Sequence, residues 1–265
     1  MADATGFHLK GSAPERYEHY VAPLMAPFVT ALVDAADLYP GATVLDLACG
    51  TGFAARAAAA QAGPTGRVAG ADLNEGMLKI AEACHPRLYP DIEFTCAAAD
   101  DLPYPDATFD AVLCQQGAQF FPDLDAALRE TARVTRPEGR FAATVWSHLD
   151  DSPYFVAQRH AVEQYDTPEA AAGFRAAFAT ADRLTAALDR AGFRDTTSRR
   201  LTFTITLPPL EDYVRGHLSA IPWGRTIADT LGEQALTEAA ATIRARLPED
   251  TTTFPFTTTL VTAVR

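Results

Sequence analysis

Apolar positions recur along this chain with two different periods, and the switches between them mark its elements. From Ala13 to Ala36, the residues Tyr17, Tyr20, Leu24, Phe28, Ala31 and Leu32 keep a spacing of about 3.6, interrupted at Pro23 and Pro27, which predicts a helical segment ahead of the core. Short apolar runs follow over Thr43–Leu47, Arg67–Asp72, Ile92–Cys96, Ala111–Cys114 and Arg140–Trp146. Helical stretches are interspersed over Phe53–Ala62, after Asn74 and over Leu124–Val134. This alternation predicts βαβ crossovers and a parallel sheet, an α/β fold.

Beyond Asp150 the rhythm breaks. The stretch to Arg183 is rich in alanine and aromatics, with Tyr154, Phe155, Tyr165, Phe174 and Phe178 on short predicted helices of a lid. Arg183–Ala191 returns to helix with Gly192 as its stop, and Asp195–Leu207 alternates as a strand. Pro209–Leu247 predicts a second helical insertion, and the threonine-rich Phe254–Val264 suits an edge or antiparallel strand. The expected organisation is a helical cap over 1–40, a core over 41–149, a lid over 150–183, core again over 184–207, a second insertion over 208–250 and a final core strand over 251–265.

Composition narrows the function classes. With 265 residues, 48% of them hydrophobic, the chain can bury one sizeable core with an elaborated cap. A net charge of −12 disfavours nucleic acid as a partner, and no basic cluster is denser than Arg194–Arg200. Cys49, Cys84, Cys96 and Cys114 form no C-x-x-C pair and have no nearby histidines, so no metal site or disulfide framework is expected. Met1–Thr5 has neither a basic lead nor an apolar run, and no stretch suits stable membrane insertion, so a cytoplasmic protein is expected. A homodimer stays open.

The first strand ends in Val44-Leu-Asp-Leu-Ala-Cys-Gly50-Thr-Gly52 before an alanine-rich helix. Glycine permits a sharp turn and close approach of a ligand to the main chain, and the helix N-terminus favours an anionic group there. Gly50-x-Gly52-x-x-Ala55, with Asp72 near the ~20-residue offset of a ribose-binding acid, also fits the dinucleotide fingerprint. A plain tight turn, NAD and other adenosyl ligands all satisfy that pattern.

Four stretches together are more specific: Val44–Gly52, Gly70-Ala-Asp72-Leu-Asn-Glu-Gly-Met-Leu78, Leu102-Pro-Tyr-Pro-Asp-Ala-Thr-Phe-Asp110 and Arg133-Val-Thr-Arg-Pro-Glu-Gly-Arg-Phe141. In order and spacing they resemble the class I S-adenosylmethionine-dependent methyltransferases, in particular the small-molecule branch that includes the ubiquinone and menaquinone methyltransferases. The resemblance implies a Rossmann-like, doubly wound seven-stranded sheet, mostly parallel with its last strand reversed, carrying helical cap insertions. It implies S-adenosyl-L-methionine as cofactor and S-adenosyl-L-homocysteine as product.

By the same resemblance, Asp46 with Ala48, Gly50 and Gly52 would hold the amino-acid end of the cofactor, and the main chain at Cys114 and Gln115 would meet its amine. Asp72 would grip the ribose and Leu73 would wall the adenine slot. Family members often place an adenine-contacting acid where this chain has Ala98, so Asp100 or the backbone of Ala99 takes that contact in this reading. His148, following the fifth strand, is the candidate general base. Gln116, Gln119 and Trp146 would face the acceptor, with Tyr17 and Tyr20 closing the pocket from the cap. His8, His19, His160 and His217 carry no context that raises them above surface or lid residues.

The expected reaction is methyl transfer to a small apolar or aromatic molecule such as a secondary metabolite, with oxygen favoured over carbon or nitrogen. Two alternatives stand beside it: a protein that binds S-adenosylmethionine without transferring methyl, and an NAD-dependent oxidoreductase.

Overall fold

Buried side chains alternate along the central strands so as to feed two cores. On β1 (Thr43–Leu47), Val44 joins one core and Leu45 and Leu47 the other; on β4 (Phe109–Gln115), Ala111 and Leu113 face the first core, and Val112 and Cys114 the second. Both faces of the sheet are covered, as parallel strands between helices require. This computed structural model describes residues 12–84 and 90–265, so the Met1–Thr5 leader reading and His8 lie outside the described residues.

The remaining strands are β2 (Arg67–Asp72), β3 (Ile92–Cys96), β5 (Thr135–Trp146), β6 (Arg194–Thr206) and β7 (Thr253–Val264). Among the described residues they form one seven-stranded sheet in the order β3-β2-β1-β4-β5-β7-β6. β3, β2, β1, β4 and β5 pair in parallel, and β7 runs antiparallel to β5 and β6. The reversed last strand is central, not an edge: Leu260, Val261 and Ala263 are buried, and β6 forms the border. β5 begins earlier than the apolar run suggested. Phe109 pairs with Thr135 before the register jumps to Ala111 and Arg140, and Glu138 takes up the irregularity at φ 65°.

The single helical segment expected over Ala13–Ala36 is two helices, α1 (Ala13–Tyr20) and α2 (Ala22–Ala35), which meet at Val21. Pro23 sits in the first turn of α2, where its missing N–H has no intrahelical partner to lose. Pro27 lies inside α2 without ending it, because Leu24, Met25, Phe28 and Leu32 bury the helix on the core. Between β1 and β2 runs α3 (Phe53–Ala62), and between β2 and β3 runs α4 (Glu75–Cys84). On the other face α5 (Leu124–Val134) and α8 (Ala181–Arg190) insert Leu124, Leu128, Leu184 and Leu188 into the second core.

α6 (Pro153–Tyr165) and α7 (Pro168–Ala176) fall between β5 and α8; α9 (Leu210–Ser219), α10 (Pro222–Leu231) and α11 (Glu233–Arg244) fall between β6 and β7. α11 packs on α6, α9 and α10, while α1 reaches α9, so the two insertions and the N-terminal cap meet as one helical layer.

Candidate active site

The strand order reverses between β1 and β4, and a crevice opens at the carboxyl ends of the strands there, where open α/β sheets bind ligands. Its floor is the glycine turn. Gly52 caps α3 at φ 77°, and a Cβ there would stand 2.9 Å from Cζ of Phe94, so both backbone angle and space require glycine.

Hydrogen bonds fix this turn from beneath. Gly50 N donates to Asp72 Oδ2 and Asn74 N to Asp72 Oδ1, each at 2.8 Å, so one carboxylate ties the loop after β1 to the loop after β2. Asp46 Oδ2 accepts from Ala55 N at 2.7 Å, and its buried Oδ1 has no partner among the described residues. Burial is the main cause that raises the Asp46 carboxyl to about 7; the Asp72 charge adds to it, and the Ala55 hydrogen bond and Arg56 oppose it. Gly52 N donates to Cys49 O at 2.8 Å, so the N–H groups of Phe53 and Ala54 are those that the first turn of α3 presents without an intrahelical acceptor.

Arg56 joins the turn to the N-terminal cap, donating to Thr51 O and to Glu18 Oε1 at 2.7 Å each. α1 thereby lies over the glycine turn. Its Tyr17 packs on Met77, and burial, then the charges of Asp72 and Glu18, push the Tyr17 phenol up.

The crevice deepens into a cavity of about 1640 Å³, solvent mouth included. At the mouth stand Leu73, half exposed, with Ala97, Ala98, Ala99, Asp100, Phe121 and Asp123. α5 holds the chain that follows this loop. Leu102 N donates to Glu130 Oε1 at 3.0 Å, and Arg133 donates to Leu102 O at 3.0 Å and Tyr104 O at 2.8 Å. The stretches beginning at Leu102 and Arg133, far apart in sequence, are thus one hydrogen-bonded unit.

At the other end five aromatic contacts form a chain around the cavity. Centroid distances are 4.6 Å for Trp146–Phe155, 5.3 Å for Phe155–Phe178, 5.2 Å for Phe174–Phe178, 4.9 Å for Phe174–Trp223 and 6.3 Å for Phe120–Trp223. Polar side chains punctuate this wall. Among the described residues, Gln115 and Gln119 each leave Nε2 without a partner, Gln116 and Gln158 leave both amide ends without one, and His217 leaves Nδ1. Ala48 and Gln116, at the ends of β1 and β4, have φ of 57° and 54°. Left-handed backbone at non-glycine residues costs about 1–3 kcal/mol and concentrates at functional sites.

Of the residues expected from the sequence, Ala48, Gly50, Asp72, Leu73, Ala99, Asp100, Gln115, Tyr17, Gln116, Gln119 and Trp146 line this one cavity. Asp46, Gly52 and Cys114 do not line it and are buried behind it. Two expectations need correction. His148 precedes a short turn at Leu149–Asp151 with its side chain 79% exposed, 3.8 Å from Asp150, because its buried neighbours Ser147 and Leu149 take the inward positions and leave His148 the outward one. Tyr20 points away from the cavity and packs on Gly216, where a Cβ would stand 2.3 Å from its Cζ.

The histidine that does line the cavity is His217, which sequence reasoning passed over. A signal was available: Leu210, Tyr213, Val214, His217 and Leu218 keep the 3-4 spacing of a buried helix face. Gln158 likewise follows Tyr154 by one turn on the buried face of α6. Burial pushes the His217 imidazole down to about 4.

Residues 45–143 match the methyltransferase domain family. A demethylmenaquinone methyltransferase of Bacillus licheniformis is 44% identical over 100 residues, covering 38% of this chain and 43% of that protein. The ubiquinone/menaquinone biosynthesis C-methyltransferase UbiE of Hahella chejuensis is 38% identical over 117 residues, covering 43% of this chain and 47% of the relative. The match thus spans less than half the length of these curated relatives. Among solved structures, the YcgJ protein of Bacillus subtilis superposes with a TM-score of 0.60 at 18% identity, over 91% of this chain and 98% of the other, which shows a shared fold.

Proposed function

We propose, from the premise that this chain belongs to the class I S-adenosylmethionine-dependent methyltransferases, that it transfers methyl from that cofactor to a neutral, apolar small molecule held in the aromatic end of the cavity. The observation that carries the reading is the separation of charge along the cavity. Among the described residues its formal negative charges are Asp72 at the end of β2, Asp100 on the loop after β3 and Asp123 before α5, and no lysine or arginine lines it. An acid end suits a cofactor that carries a sulfonium and an amine. A wall without cations leaves an anionic acceptor unpaired and disfavours it.

The residues fit the cofactor part by part. Asp72, whose two oxygens each accept one backbone N–H and which lines the cavity at the end of β2, is the carboxylate placed for the ribose hydroxyls. The Phe53 and Ala54 N–H groups and the Gly50 turn receive the carboxylate. Leu73, exposed at the mouth, is covered by adenine, with Ala99 and Asp100 beside it in place of the acid missing at Ala98. The main chain at Cys114 and Gln115, at the end of β4, supplies carbonyl acceptors for the amine. When bound, the cofactor supplies an electrophilic methyl on a sulfonium.

The protein's own part is to exclude water and to hold the acceptor in line. Such positioning contributes on the order of 7–11 kcal/mol in well-oriented systems. Trp146, Phe155, Phe178, Phe174 and Trp223 supply flat apolar contacts for a planar acceptor. Oxygen is the acceptor atom favoured here, since the wall offers neutral hydrogen-bonding groups for a hydroxyl and no carboxylate for an ammonium. The test is incubation with methyl-labelled S-adenosylmethionine and a panel of neutral aromatic alcohols, with mass spectrometry of the products. Labelled ether products bear the reading out; cofactor binding without any labelled product returns the non-transferring alternative to first place.

A further inference from the structure

At the helical end two buried polar side chains have no partner among the described residues. His217 is 3% exposed with Nδ1 unbonded, and Gln158 is 1% exposed with neither Nε2 nor Oε1 bonded. Tyr154 brings them together: it precedes Gln158 by one turn on α6, and its ring meets the His217 imidazole edge-on at 5.3 Å. Tyr213, one turn before His217 on α9, covers the imidazole at 5.6 Å and donates its hydroxyl to Tyr20 O at 2.9 Å. Tyr20 in turn fills the space left by Gly216. The imidazole is therefore held in place from two sides before any ligand arrives.

An unsatisfied buried polar group is costly, so three such atoms on two residues that line one cavity are a standing demand for hydrogen bonds. With its pKa lowered by burial, His217 is neutral near pH 7 and offers one N–H and one bare nitrogen. Gln158 offers a donor and an acceptor. No charged residue of α6, α7, α9 or α10 lines the cavity among the described residues, so neither side chain meets an ionic partner there.

We propose that His217 and Gln158 are the polar anchor of the acceptor subsite and select a neutral hydroxylated aromatic molecule. The acceptor hydroxyl donates to the bare nitrogen of His217, and a second polar atom of the acceptor pairs with the Gln158 amide. This rests on reading the helical end as the acceptor end. It differs from the base expected at His148, which the chain carries away from the cavity.

Calorimetric titration of the full chain with 2-naphthol and with 2-methoxynaphthalene tests the anchor. The two probes share the naphthalene ring and its oxygen and differ in carrying a hydrogen or a methyl on that oxygen, so the His217→Phe comparison separates the lost hydrogen bond from the added methyl. The wild type is expected to bind 2-naphthol at least tenfold more tightly than the ether. His217→Phe, which keeps a ring between Tyr154 and Tyr213, is expected to bind both probes alike, with ether affinity within threefold of wild type; His217→Gln, which keeps an acceptor atom, recovers part of the preference. Equal affinity of the wild type for both probes overturns the proposal even if every variant fails to fold, and so does a preference that survives in His217→Phe. No methyl donor is present in these titrations. Preference without methyl transfer therefore sinks the proposed reaction alone, and transfer without preference sinks the anchor alone.

Discussion

The glycine turn after β1 and the wall formed by α6 and α9 line the same cavity but use their polar groups differently. At the turn, the Asp72 carboxylate is already hydrogen-bonded to Gly50 and Asn74, and Asp46 to Ala55, so the site stands braced. At the wall, Gln158, Gln116 and His217 keep polar atoms that have no partner among the described residues. The first end is built of preorganised backbone and charge, and the second of apolar shape with a few polar atoms unpaired among the described residues. A ligand part common to many enzymes suits the former, and a part peculiar to one enzyme suits the latter.

The largest effect that separates the two ends is their opposite dependence on pH. Folded Asp46 keeps its proton up to about 7, whereas the ordinary value is 3.8, so folding takes up a proton in between. Its stabilising contribution is complete below 3.8 and is lost as pH rises through about 7. His217, lowered from 6.5 to about 4, does the reverse: its contribution is complete above 6.5 and is lost as pH falls through about 4. Urea denaturation of Asp46→Asn across pH 4–7 is expected to gain on the wild type as pH rises, by up to about 4 kcal/mol. A constant difference breaks the claim that Asp46 is a buried, proton-holding acid.

Next in size is cofactor affinity. Asp72→Ala is expected to weaken S-adenosylmethionine binding about 100-fold in calorimetry, since charge-assisted hydrogen bonds contribute about 1.5–3 kcal/mol. Unchanged affinity would remove Asp72 from the cofactor end. Trp146→Ala sharpens the contrast from the other side: binding of 2-methoxynaphthalene falls about tenfold, and the cofactor's affinity stays within about threefold, the loss of one aromatic face being worth roughly 1–1.5 kcal/mol. Equal losses for both ligands would mean the two ends are not separable. The smallest effect expected is that of His148→Ala, whose exposed side chain leaves turnover within about twofold from pH 6 to 9, measured by initial rates.

The glycine turn was legible because its determinants are consecutive or nearly so. The run from Asp46 to Gly52 and the acid at Asp72 build one turn, and the first three strand limits read from apolar runs coincide with those of the structure. The acceptor end was not, because its residues come from β5, α6, α7, α9 and α10, and no spacing along the chain joins them. His148 looked well placed by position after β5, yet a side chain two residues past a strand's end can point either way. His217 looked ordinary among 6 histidines until the α9 face was seen to be buried.

By itself, then, the sequence determined the alternating α/β core, the glycine turn and the acid that braces it, since backbone conformation and hydrogen bonding over a few residues are local properties. Only the tertiary structure decided three things: the placement of β7 between β5 and β6, the closing of the helical insertions over the crevice, and which histidine meets the cavity. Those depend on which apolar faces bury against one another, and hydrophobic burial is non-directional and indifferent to distance along the chain.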